Sequence, residues 1–167
     1  GQQNTAVGRS ANRSAKSGIN NTYMGFEAGY NDSLTSNSVG IGHNALRLSS
    51  NGQNTAVGSG ALFINSTGGS NVSIGYSSLS ANTGGNLNTA VGISSLGSNI
   101  NGANNTAIGA LANVITGNLT NTSAIGARAT VAQSNALVLG SINGINGATA
   151  TVNVGIGTNA PNTSSSL

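Results

Sequence analysis

The chain has no cysteine, no tryptophan and a single proline, and it is almost uncharged: five Lys or Arg, two Asp or Glu and one His in 167 residues. Without Cys there is neither a disulfide framework nor a thiolate metal site. No run of about 18 apolar residues occurs, so no membrane span is expected. The net charge of +3 is too sparse for the basic stripe that a nucleic-acid partner needs, although Arg9, Arg13 and Lys16 group near the start. Leu, Ile, Val and Phe together make up 36 residues, barely above the roughly 20% below which disorder is suspected. Disorder also calls for high net charge, which is missing. The chain opens on Gly1 without Met or a signal-peptide pattern, as a fragment, a processed chain or part of a longer protein would.

What is present is repetition. Asn88-Thr-Ala-Val-Gly-Ile-Ser-Ser-Leu96 recurs in close copies, and the glycine of each copy falls at Gly8, Gly25, Gly42, Gly58, Gly75, Gly92, Gly109, Gly126, Gly140 and Gly157. Successive anchors are 17 residues apart, except for a step of 16 between Gly42 and Gly58 and one of 14 between Gly126 and Gly140. A period this short is too small for a helical pair or a propeller blade, and it predicts a parallel β-solenoid of about ten coils. Stacking also accounts for the missing charge. Coils lie about 4.8 Å apart, where like charges repel by roughly 0.9 kcal/mol even in water, whereas columns of Asn and Thr can hydrogen-bond from rung to rung.

Within each copy the residues before the glycine alternate as a strand does. One column, Thr5, Thr22, Val39, Thr55, Val72, Thr89, Thr106, Ser123, Leu137 and Val154, shares a face with a core ladder of Val7, Met24, Ile41, Val57, Ile74, Val91, Ile108, Ile125, Leu139 and Ile156. Exchange of Thr with Val and Leu predicts that this face points inward. The residue between is small (Ala6, Gly40, Ala56, Ser73, Ala90, Ala107, Ala124, Gly155), so the opposite face is expected to meet another backbone closely. After the glycine comes a second ladder, Leu46, Leu62, Leu79 and Leu96, read as filler of the coil interior. Turn chemistry completes each coil, as at Asn51-Gly52 and Thr83-Gly84-Gly85. Residues 1–140 are expected to form the repeat domain, with atypical first coils. Residues 141–167 should be an irregular transition, a last coil and a tail leading out of the stack.

Asn37-Ser-Val-Gly-Ile-Gly42 and Ala136-Leu-Val-Leu-Gly140 resemble the coil motif of trimeric autotransporter adhesin heads. Asn54-Thr-Ala-Val-Gly-x-x-Ala-Leu62 with its Asn/Gly turn is similar to repeats of phage tail fibres and bacterial surface fibres of the same class. Asn153-Val-Gly-Ile-Gly-Thr-Asn-Ala-Pro161 resembles the segment that leads into the self-cleaving chaperone of such fibres. The resemblance spans about Asn4 to Pro161. It implies a left-handed β-roll in an intertwined homotrimer, without implying a ligand. Energetics also favours a trimer. Each coil offers about three sizeable apolar side chains worth roughly 1.5–3 kcal/mol each, against about 1–2 kcal/mol for ordering each of its backbones.

The expected function is therefore that of a structural shaft or head segment of a trimeric surface fibre, extracellular on a virion or a bacterial cell, attaching to a host or surface. Its partners would be two further copies, neighbouring fibre segments and a host-surface receptor, glycan or protein. A side-binding adhesin for glycan or matrix is the alternative. An ice-binding solenoid is a remote one, because it needs the Thr column to face outward. No catalytic activity, cofactor or metal is expected. Glu27 and Asp32 are the only acids, and His43 lacks a second His or Cys. Aromatic residues are the usual handles for recognition, so Tyr23, Phe26, Tyr30, Arg13 and Lys16 are the candidate ligand contacts.

Overall fold

The computed structural model describes residues 3–32 and 34–152. In chain order the strands are β1 Thr5–Val7, β2 Thr22–Met24, β3 Val39–Ile41, β4 Leu48–Ser49, β5 Thr55–Val57, β6 Ile64–Asn65, β7 Val72–Ile74, β8 Thr89–Val91, β9 Thr106–Ile108, β10 Asn113–Val114, β11 Ser123–Ile125, β12 Thr130–Val131 and β13 Leu137–Leu139. Nine of them form one parallel sheet in the order β1-β2-β3-β5-β7-β8-β9-β11-β13. Equivalent residues pair in every coil, as Thr89 does with Val72 and Thr106. The molecule is thus an all-β parallel solenoid, with no helix among the described residues. It makes about eight turns against the ten expected. Val154, Ile156 and the tenth anchor, Gly157, lie outside the described residues, as does most of the expected tail.

The irregular steps are absorbed in turns, which leaves the sheet in register. Asn51 reaches Thr67 at a spacing of 16, while Gln53 already stacks on Ser70 at 17, so the residue missing between Gly42 and Gly58 is lost at the Asn51-Gly52 turn. In the short coil, β12 still pairs with β10 at 17, but Ser134 stacks on Thr120 at 14. The deletion falls in the turn after β12.

The inner and outer faces of the sheet are the reverse of the expectation. The middle residue of each strand points into the coil: Ala56, Ala90 and Ala107 are fully buried. The ladder expected in the core is on the outside instead, with Val7 at 51%, Ile74 at 40% and Ile108 at 44% exposed and Ile41, Val57 and Val91 half-buried. The Thr/Val column beside it is outward too. A coil of 17 residues is narrow, and a strand facing a turn across it has room for a methyl group but not for a second β-branched layer. From the facing side come Leu46, Leu62, Leu79 and Leu96, all fully buried, each with positive φ of 46 to 53°. The N–H of each donates to the next coil, as Leu79 does to the Ser95 carbonyl at 3.0 Å. The left-handed conformation costs an L-residue roughly 1–2 kcal/mol; here it turns the side chain inward while keeping that bond.

Half of the interior is polar. Asn54, Asn71, Asn88 and Asn105 form one buried column just before the strands. The Oδ1 of each accepts the backbone N–H one coil on, for example Asn88 N–H to Asn71 Oδ1 at 2.9 Å. Asn65, Asn82 and Asn99 form a second column, joined by Nδ2 donation from Asn82 to Asn65 Oδ1 (2.9 Å) and from Asn99 to Asn82 Oδ1 (2.8 Å). An unpaired buried amide group would cost about 1–3 kcal/mol, so the ladders also select in-register stacking. The anchor glycines are required twice over. Gly92 has φ of +133°, and a Cβ on it would lie 2.5 Å from the Gly109 carbonyl oxygen.

Candidate functional site

Because the coils stack in register, residues one period apart form columns on the turn that follows each anchor glycine. The two columns flanking this turn hold three of the chain's five basic side chains, Arg9, Arg13 and Arg47, and all but one of its aromatic rings. One runs Arg9, Phe26, His43: the Arg9 guanidinium lies 5.6 Å from the Phe26 ring centre, and Phe26 stacks on His43 at 5.4 Å with 13° between planes. The other alternates Arg13, Tyr30, Arg47, Phe63. Arg13 lies 5.4 Å over Tyr30 and its Nη1 donates to the Tyr30 hydroxyl at 2.7 Å. Arg47 lies 5.2 Å from Tyr30 and 5.8 Å from Phe63.

The alternation has an electrostatic reason. A ring placed between Arg13 and Arg47 keeps like charges from stacking directly and gives each a π face, worth about 0.5–1 kcal/mol when exposed. Glu27 accepts from Arg47 Nε at 2.6 Å, a half-buried pair at the surface. The result is a positively charged, aromatic edge on the first coils.

Of the five candidate contacts, Arg13, Phe26 and Tyr30 are brought together here, and Lys16 is exposed on the first coil. Tyr23 is not a surface residue: it is fully buried, the one aromatic in the inward column of the sheet. Space for it comes from glycine at two positions. A Cβ on Gly29 would lie 2.7 Å from the Tyr23 ring and one on Gly40 2.8 Å from it. Sequence reasoning missed Arg47, His43 and Phe63 as ladder members, although the period that aligned the glycines places them there: 13, 30 and 47 are 17 apart, and 63 follows by the single step of 16.

The acids are not paired with each other. Glu27 is held by Arg47, and Asp32 is buried, its Oδ1 accepting from Thr35 N–H at 3.1 Å. Burial pushes the Asp32 carboxyl up to about 6 from 3.8, opposed by its hydrogen bonds to Thr35. Among the described residues no three His, Cys, Asp or Glu gather as metal ligands, and no helix is long and apolar enough to cross a membrane.

A broad groove of about 490 Å³ lies elsewhere on the solenoid, lined by Leu34, Asn37, Asn51, Gln53, Asn86 and Leu87 among others; its lining carries no titratable group. Compared with protein-family models, curated proteins and solved structures, the chain matches none of them.

Proposed function

We propose that the chain is a shaft or head segment of a trimeric fibre on a phage tail or a bacterial surface, serving attachment to a host or surface. One observation carries this reading: the outer face of the nine-stranded sheet bears an unbroken aliphatic column from Val7 to Leu139, with a Thr/Val column beside it. Scattered exposed apolar residues are ordinary, but a continuous stripe marks an interface. Covering the exposed half of each rung contributes on the order of 1 kcal/mol. Repeated along the stack, this is the stabilisation that a coil with an Ala and Asn interior lacks. The contact between copies is therefore assigned to the aliphatic column, and not to the small residues, which face inward.

Light scattering with small-angle scattering tests it. The wild type should have the mass of three chains and a rod-like profile, and Ile74→Lys with Val91→Lys should release monomers. A wild-type monomer at micromolar concentration overturns the reading, as does a trimer indifferent to the lysines.

Two other readings keep a specific observation each. The cation and aromatic ladder favours a side-binding adhesin. The outward Thr5, Thr22, Thr55, Thr89 and Thr106 meet the orientation that ice binding requires, and thermal hysteresis decides that case.

A further inference from the structure

The first ladder column lacks a rung. Above Arg9, Phe26 and His43 the next residue is Ser59, and above that stands Tyr76, 61% exposed. The backbone confirms that these are successive rungs: Gly60 N–H donates to the His43 carbonyl and Ser77 N–H to the Ser59 carbonyl, each at 2.9 Å. With a small side chain at Ser59 and none at Gly60, a notch of about 290 Å³ opens between His43 and Tyr76, with Phe63 at its side and Asn44 and Ser77 also lining it. That is close to the lower end of small-molecule sites, roughly 300 Å³, and suits a single ring.

Its height is set by the stack. His43 and Tyr76 are two coil steps apart, about 9.6 Å, so a ring seated at the Ser59 level would lie about 4.8 Å from each wall. One step below, Phe26 and His43 occupy the same column at 5.4 Å and nearly parallel, which shows that a ring fits at this spacing. The walls are aromatic rings, His43 and Tyr76, and the rim is polar. Ser59, Ser77 and Ser80 supply hydroxyls. A pyranose has that pattern inverted, with C–H faces above and below and hydroxyls around its edge. A purely aromatic guest would leave the hydroxyls unmatched.

We infer that the notch between His43 and Tyr76 is a binding site for one pyranose unit of a glycan. The site lies within a single chain, so it goes beyond the fibre reading and does not depend on trimerisation.

The test is NMR titration of the intact chain with methyl glucoside, galactoside, mannoside and N-acetylglucosaminide, with phenol as the aromatic control. At least one glycoside should bind in the millimolar range and shift His43 and Tyr76 resonances. Tyr76→Ala should weaken it about tenfold, the loss of one ring contact. Ser59→Phe should abolish it by restoring the missing rung; because the column already accepts Phe and His, this variant should keep the wild-type fold and melt no lower. The inference is overturned if none of the glycosides shifts these residues, if binding survives Ser59→Phe, or if phenol alone binds. Mass in solution is read separately, so a monomer that binds sugar refutes only the fibre reading.

Discussion

Asn71 and Asn82 donate to one and the same acceptor, the carbonyl oxygen of Gly85, each from Nδ2 at 2.9 Å. The arrangement repeats along the stack: Asn54 and Asn65 share Gly68 at 3.0 and 2.7 Å, and Asn88 and Asn99 share Gly102 at 2.8 and 3.0 Å. Two columns that begin in different parts of the coil are thereby tied together at a turn. Each glycine carbonyl uses both of its lone pairs, and the corner is fixed without apolar packing.

The two donors are not equivalent. Either change leaves the Gly85 carbonyl one donor, but Asn71→Ala strands a backbone group, the Asn88 N–H that donates to Asn71 Oδ1. Asn82→Ala strands only side-chain amide atoms that can reorient: Asn65 Oδ1 loses its donor and Asn99 Nδ2 keeps Gly102. Denaturant unfolding should show a loss of about 2–4 kcal/mol for Asn71→Ala and about 1–2 for Asn82→Ala. The reverse order would contradict the role given to the first column.

Glycine is needed at Gly85 for space. A Cβ there would overlap the Gly102 carbonyl and lie 2.8 Å from Asn88 Nδ2. At Gly60 the nearest such contact is Ser77 Oγ at 3.4 Å, and only a φ of +67° favours glycine. Gly85→Ala should therefore cost more than about 3 kcal/mol, and Gly60→Asn no more than about 1. Thermal melts of the two variants side by side check this.

Asp32 occupies the column that holds Asn65, Asn82 and Asn99 in later coils, and its Oδ2 has no partner. With its carboxyl raised to about 6 from 3.8, the folded chain holds the proton more tightly than the unfolded one. The contribution to stability is complete below the unfolded value and is lost as pH rises through about 6. Asp32→Asn removes the charge and offers Nδ2 to the Thr35 carbonyl, which already accepts from Asn21 at 2.8 Å. Stability at neutral pH should rise by about 1–3 kcal/mol, and the decline between about pH 4 and 7 should disappear. A profile that still declines would place the titration elsewhere.

Tyr23 and its two glycines form a size-matched set. Gly40→Ala alone should destabilise by about 1–3 kcal/mol through overpacking. Tyr23→Ala with Gly29→Leu and Gly40→Ala converts the coil to the Ala/Leu interior of its neighbours and should recover most of the loss. Additive losses in the triple variant would show that the ring is not what the glycines accommodate.

The repeat, the anchor glycines, the solenoid and the turn positions are all legible in the sequence, because each depends on self-similarity at 17 residues. Which face of the strand turns inward is not legible. Alternation has a period of two, and a Thr/Val/Ile column looks the same whether covered by its own coil or by another chain. Coil width decides it, and width becomes visible only once Leu79 and Ala90 share one interior. The left-handed leucines were hidden for a different reason: positive φ is ordinarily read from Gly or Asn, and the clue was that Asn12 and Gly29 stand in the column of Leu46. At the candidate site, Arg13 and Tyr30 were legible as types of residue, while the Arg47 contact and the vacancy at Ser59 required the stack.

The shared-carbonyl corners also bear on how such a molecule can change size. Since the coils from Asn54 to Asn105 present to their successors the same acceptors they received from their predecessors, a unit within that stretch can be duplicated or excised with its junctions unchanged. The shortened turns at Asn51-Gly52 and after Val131 both place the lost residues at an outer bend. Overall extent is then free to drift across generations while cross-section stays fixed.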